Sequence, residues 1–158
     1  MAHLKTNEDV VLCFESINNA LNNGGVLILE LPHPTELFTI VDCTKNDWEV
    51  PIEDDQGNES LLSIVWGDEN DKFNPISQIR DLSVQMSLTD SDGNILKSVK
   101  EEVPMRLFTA QEIACLAKLA GFEVVAMFGA LDDEVKVDAD EAFRMVCILR
   151  KENELDKN

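Results

Sequence analysis

The chain has 158 residues, of which 44% are hydrophobic and 28% charged, so it can form one ordinary globular domain and has no compositional mark of disorder. Its 13 lysines and arginines against 31 aspartates and glutamates give a formal net charge of −18, with no basic cluster to offset it. Nucleic acid and anionic membranes are therefore not expected as partners.

The first nine residues and the cysteines indicate the compartment. Residues 1–9 carry acids early and have no apolar core of signal-peptide length, and no stretch of the chain reaches the roughly 18 apolar residues of a membrane span. The four cysteines form no C-x-x-C pair and have no metal-like spacing to either histidine. We therefore expect a soluble cytoplasmic protein with reduced thiols and no metal site.

A helix and a strand are predicted for the first 31 residues. Residues 6–9 can cap a helix N-terminus. Four apolar residues then recur at spacings of four, three and four residues: Val10, Phe14, Ile17 and Leu21. Residues 22–25 end the helix, because Asn and Gly accept the left-handed conformation of a last turn. Residues 26–31 show no polar alternation and predict a strand buried on both faces.

Residues 35–105 differ in character from their flanks and predict an inserted antiparallel β region. Strand-like runs occur at residues 61–66 and 82–88, and residues 54–58 are typical of a turn. Residues 90–94 contain an Asp-Gly pair between two strand-like runs, which predicts the tight turn of a β-hairpin.

The last third of the chain contains a well-marked helix. Thr109 and Glu112 have the spacing of a capping box, and Gly121 stands where a helix C-terminus favours glycine. Strands are predicted at residues 122–128 and 143–150, with an acidic loop at 131–140 between them. We expect one partial domain over residues 1–151, with an insertion or cap at about 35–105, and a disordered tail at 152–158.

Two segments carry a resemblance to a known family. Residues 21–30 read Leu-Asn-Asn-Gly-Gly-Val-Leu-Ile-Leu-Glu, and residues 106–124 combine Arg-Leu-Phe-Thr-Ala-Gln-Glu with Leu-Ala-Gly-Phe-Glu-Val. With the order of elements over residues 7–151, they resemble the C-terminal half of a class I S-adenosylmethionine-dependent methyltransferase. The resemblance implies an α/β fold: the C-terminal half of a Rossmann-like sheet, with an inserted antiparallel β region. Residues 26–31 would be its fifth strand, 122–128 its sixth, and 143–150 the antiparallel seventh between them.

The same resemblance implies transfer of a methyl group from S-adenosylmethionine to a small-molecule substrate, with the enzyme holding the two reactants together and excluding water. The family's cofactor motifs are expected to precede this chain. Gly24 and Gly25 follow a helix and precede a strand, the reverse of a cofactor-binding loop. We therefore expect a complementing N-terminal half or a homo-oligomer. A non-catalytic methyltransferase-like interaction protein and a gene fragment stay open as alternatives.

Two residues near the end of the first predicted strand are candidates for catalysis. His33, between two prolines, lies where open α/β sheets gather ligand-contacting groups, and an imidazole suits proton transfer near neutral pH. Its alternative role is a surface turn stiffened by the prolines. Glu30 interrupts an apolar strand and is either a proton acceptor in a cavity or a carboxylate exposed at the strand end.

Three further residues are candidates for substrate binding. Trp66 and Phe73, with Trp48, lie in the insertion, where aromatic faces can hold a planar or cationic substrate or can simply pack in a core. Arg106 can bind a substrate carboxylate or pair with an internal acid. The acidic residues 132–141 lack the glycine and ligand spacing of a calcium loop, so we expect a solvated loop there.

Overall fold

The computed structural model describes residues 1–35 and 46–152, which group into two compact units. Residues 1–35, 75–79 and 106–152 form the first unit, and residues 46–74 and 80–105 form the second. The predicted tail at 152–158 lies outside the described residues except for residue 152, as do residues 36–45 of the predicted insertion. No helix of the described part is long and apolar enough to span a membrane.

The elements of the described residues alternate between the two units. In chain order they are α1 (Asn7–Ala20), β1 (Val26–Pro32), β2 (Asn46–Glu53), β3 (Glu59–Trp66), β4 (Phe73–Asn74), β5 (Ile79–Asp90), β6 (Ile95–Arg106), α2 (Ala110–Leu119), β7 (Phe122–Phe128) and β8 (Arg144–Lys151). The first unit therefore contains both helices with β1, β7 and β8, and the second is built from β2 to β6.

Local capping fixes both helices where the sequence predicts them. The Thr6 side chain accepts a hydrogen bond from the Asp9 amide at the start of α1. Thr109 and Glu112 form the predicted capping box of α2. At the other end of α1, the Lys151 ammonium donates to the carbonyl oxygens of Asn18 and Leu21, at 2.7 and 2.9 Å. A cation there satisfies C-terminal carbonyls and opposes the negative end of the helix dipole.

The first unit has a three-stranded antiparallel sheet with the order β1-β8-β7. The last strand lies between the other two, as the sequence predicts. Val26 pairs with Arg150 and Glu30 with Val146, while Phe122 pairs with Lys151. The register between β7 and β8 shifts between Val124 and Ala126, so Val125 is an extra residue of a bulge.

The core of the first unit lies on one face of this sheet. Phe14 of α1 packs against Phe122 of β7 with ring centroids 6.0 Å apart. Burying each large apolar side chain stabilises the fold by roughly 1.5–3 kcal/mol. Three buried residues of β8 line up beneath the two helices: Met145, Cys147 and Leu149. Because successive side chains of a strand point to opposite faces, the residues between these three belong to the other face.

That other face is the open face, defined by Val26, Ile28, Glu30, Phe128, Val146 and Ile148. The expectation that β1 is buried on both faces is wrong, because Val26 and Ile28 are exposed and only its alternate residues face the core. The reason is that both helices contribute to the core on the opposite face. An uninterrupted apolar strand predicts two apolar faces, but it does not supply the second cover.

The second unit is a five-stranded sheet in which β2, β3, β5 and β4 are neighbours in that order and β6 also pairs with β5. The sequence predicts its antiparallel character and the hairpin at residues 90–94. It does not predict β2, an edge strand whose eight residues are all exposed. Its alternation of Trp48, Val50 and Ile52 with polar residues was the available signal.

Two hairpin loops of the second unit are built alike, on the repeated sequence Asp-x-x-Gly-Asn. Asp54 Oδ1 accepts from the amides of Gln56 and Asn58, and Asp90 Oδ1 accepts from the amides two and four residues later. These hydrogen bonds, with the one from the following Asn side chain first, lower the pKa of both aspartates. Both glycines have φ above +80°, which favours glycine at these positions.

Burial makes Cys147 the least reactive thiol of the described residues. Burial raises its pKa to about 11, whereas the Cys115 side chain is exposed. We expect iodoacetamide at pH 8 to alkylate Cys115 in the native protein while Cys147 stays unmodified, as peptide mass spectrometry would show. In 8 M urea (about the usual denaturing concentration) both should react. Rapid native labelling of Cys147 would contradict the packing of β8 against the helices.

Candidate functional site

His33 stands just past the C-terminal end of β1 and is buried, with both ring nitrogens engaged. Its Nε2 lies 2.7 Å from the Val137 carbonyl oxygen, and its Nδ1 lies 2.8 Å from Thr35 Oγ1. A carbonyl only accepts, so this network assigns the proton to Nε2, and Nδ1 accepts from the Thr35 amide at 3.3 Å. The imidazole therefore fastens the end of β1 to the loop that contains Val137.

This loop, residues 129–143, is tightly closed on itself. The Gly129 amide donates to the Val135 carbonyl at 2.7 Å, and the Gly129 carbonyl accepts from the amides of Phe143 and Arg144. A Cβ atom at Gly129 would lie 2.4 Å from the Ala142 Cβ, so only glycine fits there. Among the described residues, no group of three or more His, Cys, Asp or Glu side chains is placed to hold a metal ion.

Glu30 lies on the open face and forms an ion pair with Arg144 of β8. The two side chains are partly exposed, and Arg144 also places its guanidinium 5.5 Å from the centre of the Phe143 ring. A partly exposed pair of this kind is worth at most about 1 kcal/mol. The pair therefore contributes little to stability and keeps a carboxylate at the edge of an apolar surface.

A hollow of about 480 Å³ opens on the same face. Its apolar lining comes from all three strands and the start of the loop: Ile28, Phe128, Ala130, Leu131, Val146 and Ile148, with Asp132 and Asp133 at its margin. Val146 is the cross-strand partner of Glu30, so the carboxylate stands beside this lining. The arrangement can hold an apolar group next to an anionic oxygen.

Arg106 forms an internal ion pair, one of the two alternatives left open by the sequence. Its guanidinium donates to the Glu112 carboxylate, to Asn7 Oδ1 and to the Lys5 carbonyl, and it lies 4.8 Å from the centre of the Phe108 ring. Glu112 in turn accepts from Gln78 Nε2 at 3.0 Å while completing the capping box of α2. Arg106 is thus committed to holding the first unit together, and its role toward a substrate stays a prediction.

The two aromatic candidates belong to the second unit. Trp66 is half-buried in β3, opposite Val84 of β5, and Phe73 is half-buried with the Arg80 guanidinium 5.5 Å from its ring centre. Of the five predicted residues, the structure brings together only Glu30 and His33, at the end of β1. The sequence did not indicate Arg144, Thr35 or Val137, because their contacts depend on strand register and loop closure. The catalytic and substrate-binding roles remain predictions.

Comparison with known proteins shows similarity in structure. No protein-family model and no curated protein matches the sequence. An S-adenosylmethionine-dependent methyltransferase from Clostridium acetobutylicum superposes with a TM-score of 0.66 and 16% identity, over 96% of this chain and 55% of that chain. CalS10, an amino pentose methyltransferase from Micromonospora echinaspora solved with S-adenosylmethionine bound, gives 0.60 and 15%, over 94% and 52%. KedS8, a sugar N-methyltransferase from Streptoalloteichus, gives 0.61 and 13%, over 96% and 52%.

These similarities show the fold, and they confirm the predicted α/β class with its antiparallel sheets. This chain spans about half the length of the solved structures that it matches. Within residues 1–35 and 46–152, no glycine-rich loop passes from a strand into a helix, since Gly24 and Gly25 lie between α1 and β1. The segment from β6 into α2 consists of the buried Leu107 and Phe108 and the cap Thr109. The described residues therefore do not by themselves fit the cofactor.

The ion pair of Arg106 offers a stability test with a matched control. Replacing Glu112 by Ala leaves a buried guanidinium without its anion and removes half of a capping box, so we expect a loss of about 3 kcal/mol. Replacing Glu123 by Ala, which breaks a half-exposed pair with Arg150, should cost no more than about 1 kcal/mol. Urea unfolding followed by circular dichroism measures both. Equal losses would show that the Arg106 pair is not buried in solution.

The His33 contacts lead to a second test. His33→Ala removes both the bond to Val137 and the acceptor for Thr35, so we expect a loss of about 1–3 kcal/mol. The amides of residues 129–143 should also exchange hydrogen faster, as measured by mass spectrometry. His3→Ala is the control because His3 is exposed. Unchanged exchange of the loop in His33→Ala would rule out the fastening role.

Proposed function

We propose that this chain is part of an S-adenosylmethionine-dependent methyltransferase that acts on a small molecule, and that it forms walls on the substrate side of the active site. The observation that supports this most directly is the superposition of 96% of the chain on about half of a methyltransferase. A chance likeness of a few strands would not extend over both units. The rest of the fold, on the same polypeptide or another, supplies the cofactor site in this proposal.

The open face and the outer edge of β1 are where the rest of the fold joins in this proposal. Among the described residues, β1 pairs with β8 alone, so its other edge carries unpaired backbone groups. Ile28 and Val26 extend from the same strand on the open face, beside the hollow. A polypeptide that adds a strand next to β1 and covers the open face satisfies the edge and the apolar surface together.

An amine-bearing sugar or similar small molecule is the proposed substrate class. Two of the matched structures are an amino pentose methyltransferase and a sugar N-methyltransferase. A net charge of −18 attracts cationic molecules and repels anionic ones. Glu30 is the proposed acceptor of the proton that the amine releases, because its carboxylate stands beside the hollow. His33 is the proposed positioning residue, since its two nitrogens are engaged in fixing the strand end.

A non-catalytic interaction protein is the second candidate, and a specific observation favours it. Glu30 and His33 are both already engaged with residues of their own unit. A domain that only binds a partner needs no free catalytic group and no cofactor. The two candidates differ in whether the assembled protein binds S-adenosylmethionine.

Calorimetry with S-adenosylmethionine tests the proposal in two stages. We expect no binding by the purified chain, because the described residues do not fit the cofactor. The assembly recovered with a tagged chain from its native cells should bind S-adenosylmethionine and transfer its labelled methyl group to an amine-bearing sugar. Tight binding by the isolated chain would overturn the shared-site proposal. An assembly that binds no cofactor would leave the interaction protein.

A pair of variants shows whether the open face joins the assembly. Ile28→Lys places a charge on the open face, where Ile28 is 64% exposed, and should prevent recovery of the assembly. Ile95→Lys makes the same change at a residue of the second unit that is 69% exposed, and should leave recovery unchanged. Both variants should fold as the parent chain does by circular dichroism. Equal recovery with both would show that the rest of the fold does not join here.

A further inference from the structure

The sheet of the second unit has one face that is apolar and largely uncovered. We call it the apolar face, and it comprises Trp48, Val50, Ile52, Leu62, Ile64 and Met86. The register shows that these residues share a face: Trp48 pairs with Ile64, Val50 with Leu62, and Ile64 with Met86. Four of the six are exposed by more than a third of their surface.

The two faces of this sheet differ sharply in charge. In β2 the acids Asp47, Glu49 and Glu53 alternate with the apolar residues and therefore lie on the other face. None of the six residues of the apolar face is charged. An amphipathic sheet of this kind normally covers its apolar face, because exposing it to water costs free energy.

We propose that the apolar face binds the same face of a second copy of this chain, so that the two sheets stack as a sandwich across a twofold axis. An uncharged face offers a basic partner nothing to select, whereas it is complementary to itself under twofold symmetry. Stacking also keeps the acids of both copies on the outer faces. Tryptophan and methionine, as at Trp48 and Met86, are residue types enriched in interface centres.

The edge of the sheet favours stacking over edge-to-edge pairing. β2 is an edge strand and contains Pro51, which cannot donate a hydrogen bond to a neighbouring strand. It also carries three acids, which repel the same acids of a second copy. A second copy therefore approaches the apolar face rather than the edge, at the distance of about 10 Å that separates stacked sheets.

The size of the face predicts a dissociable dimer. Four strands about 4.8 Å apart, each covered over about six residues at about 3.4 Å per residue, present roughly 400 Å². This is as large as the largest apolar patch on a typical monomer and below the roughly 800 Å² per partner of a stable interface. We therefore expect a dimer that forms in the micromolar range. Because both copies are strongly acidic, added salt should strengthen it.

The tryptophans provide a readout without a label. The protein contains two tryptophans and no tyrosine. Trp48 belongs to the apolar face, and Trp66 points to the same side because it pairs with Asn46, two residues before Trp48. Sedimentation equilibrium should show a monomer to dimer transition, and the emission maximum should shift to the blue over the same concentrations. A monomer at all concentrations up to the millimolar range would overturn the proposal.

Two valines of similar exposure provide the matched variants. Val50→Lys changes the apolar face, where Val50 is 40% exposed, and should abolish the dimer and the spectral shift. Val99 of β6 is 44% exposed. The Asn94 carbonyl bonds to the Asp90 amide, which places Asn94 opposite Asp90, and the odd spacing from Asn94 to Val99 puts Val99 on the other face. Val99→Lys should therefore leave the dimer intact.

The variants remain decisive if one of them does not fold. Circular dichroism identifies a variant that has lost its strands, and Met86→Lys, in a second strand of the apolar face, then takes the place of Val50→Lys. A folded variant of the apolar face that still dimerises like the parent chain would overturn the proposal, because the dimer would then use another surface. Loss of the dimer in Val99→Lys, with its fold retained, would overturn it in the same way.

Discussion

Both helices of the first unit pack on the same face of the three-stranded sheet, and most of what is unusual about the chain depends on this one-sided burial. The central strand β8 supplies the core with three alternate side chains and the open face with the residues between them. A strand in that position can satisfy its backbone on both edges, but it buries its side chains fully only when both faces are covered. The open face is therefore the direct consequence of where the helices are.

The polar side chains of the first unit mostly serve its architecture. Arg106 and Glu112 tie the start of α2 to the start of α1, and Lys151 closes the far end of α1. His33 holds the loop of residues 129–143 against the end of β1. Groups that are hydrogen-bonded internally in this way are costly to release, since an unsatisfied buried donor or acceptor loses about 1–3 kcal/mol. Chemistry at this end of the sheet therefore depends mainly on Glu30, whose partner Arg144 is also partly exposed.

Each unit exposes an apolar surface of a different kind. The open face of the first unit is bordered by a strand edge with unpaired backbone groups, so it suits a partner that extends the sheet. The apolar face of the second unit is bordered by a strand that carries a proline and three acids, so it suits a partner that stacks on the sheet. The two surfaces can therefore be occupied by different partners, one completing a methyltransferase fold and the other a second copy of the chain.

The sequence by itself determined most of the local structure. Capping residues fixed α1 and α2, the glycines and asparagines fixed the turns, and the resemblance placed the last strand between β1 and β7, because these features depend on neighbouring residues or on the order of elements. It did not reveal β2, whose short alternating pattern is interrupted by Pro51. The tertiary structure alone decided which face of β1 is covered, which anion pairs with Arg106, and that both nitrogens of His33 are engaged. Each of these depends on residues far apart in the chain, such as His33 and Val137, and only strand register and loop closure bring them into contact.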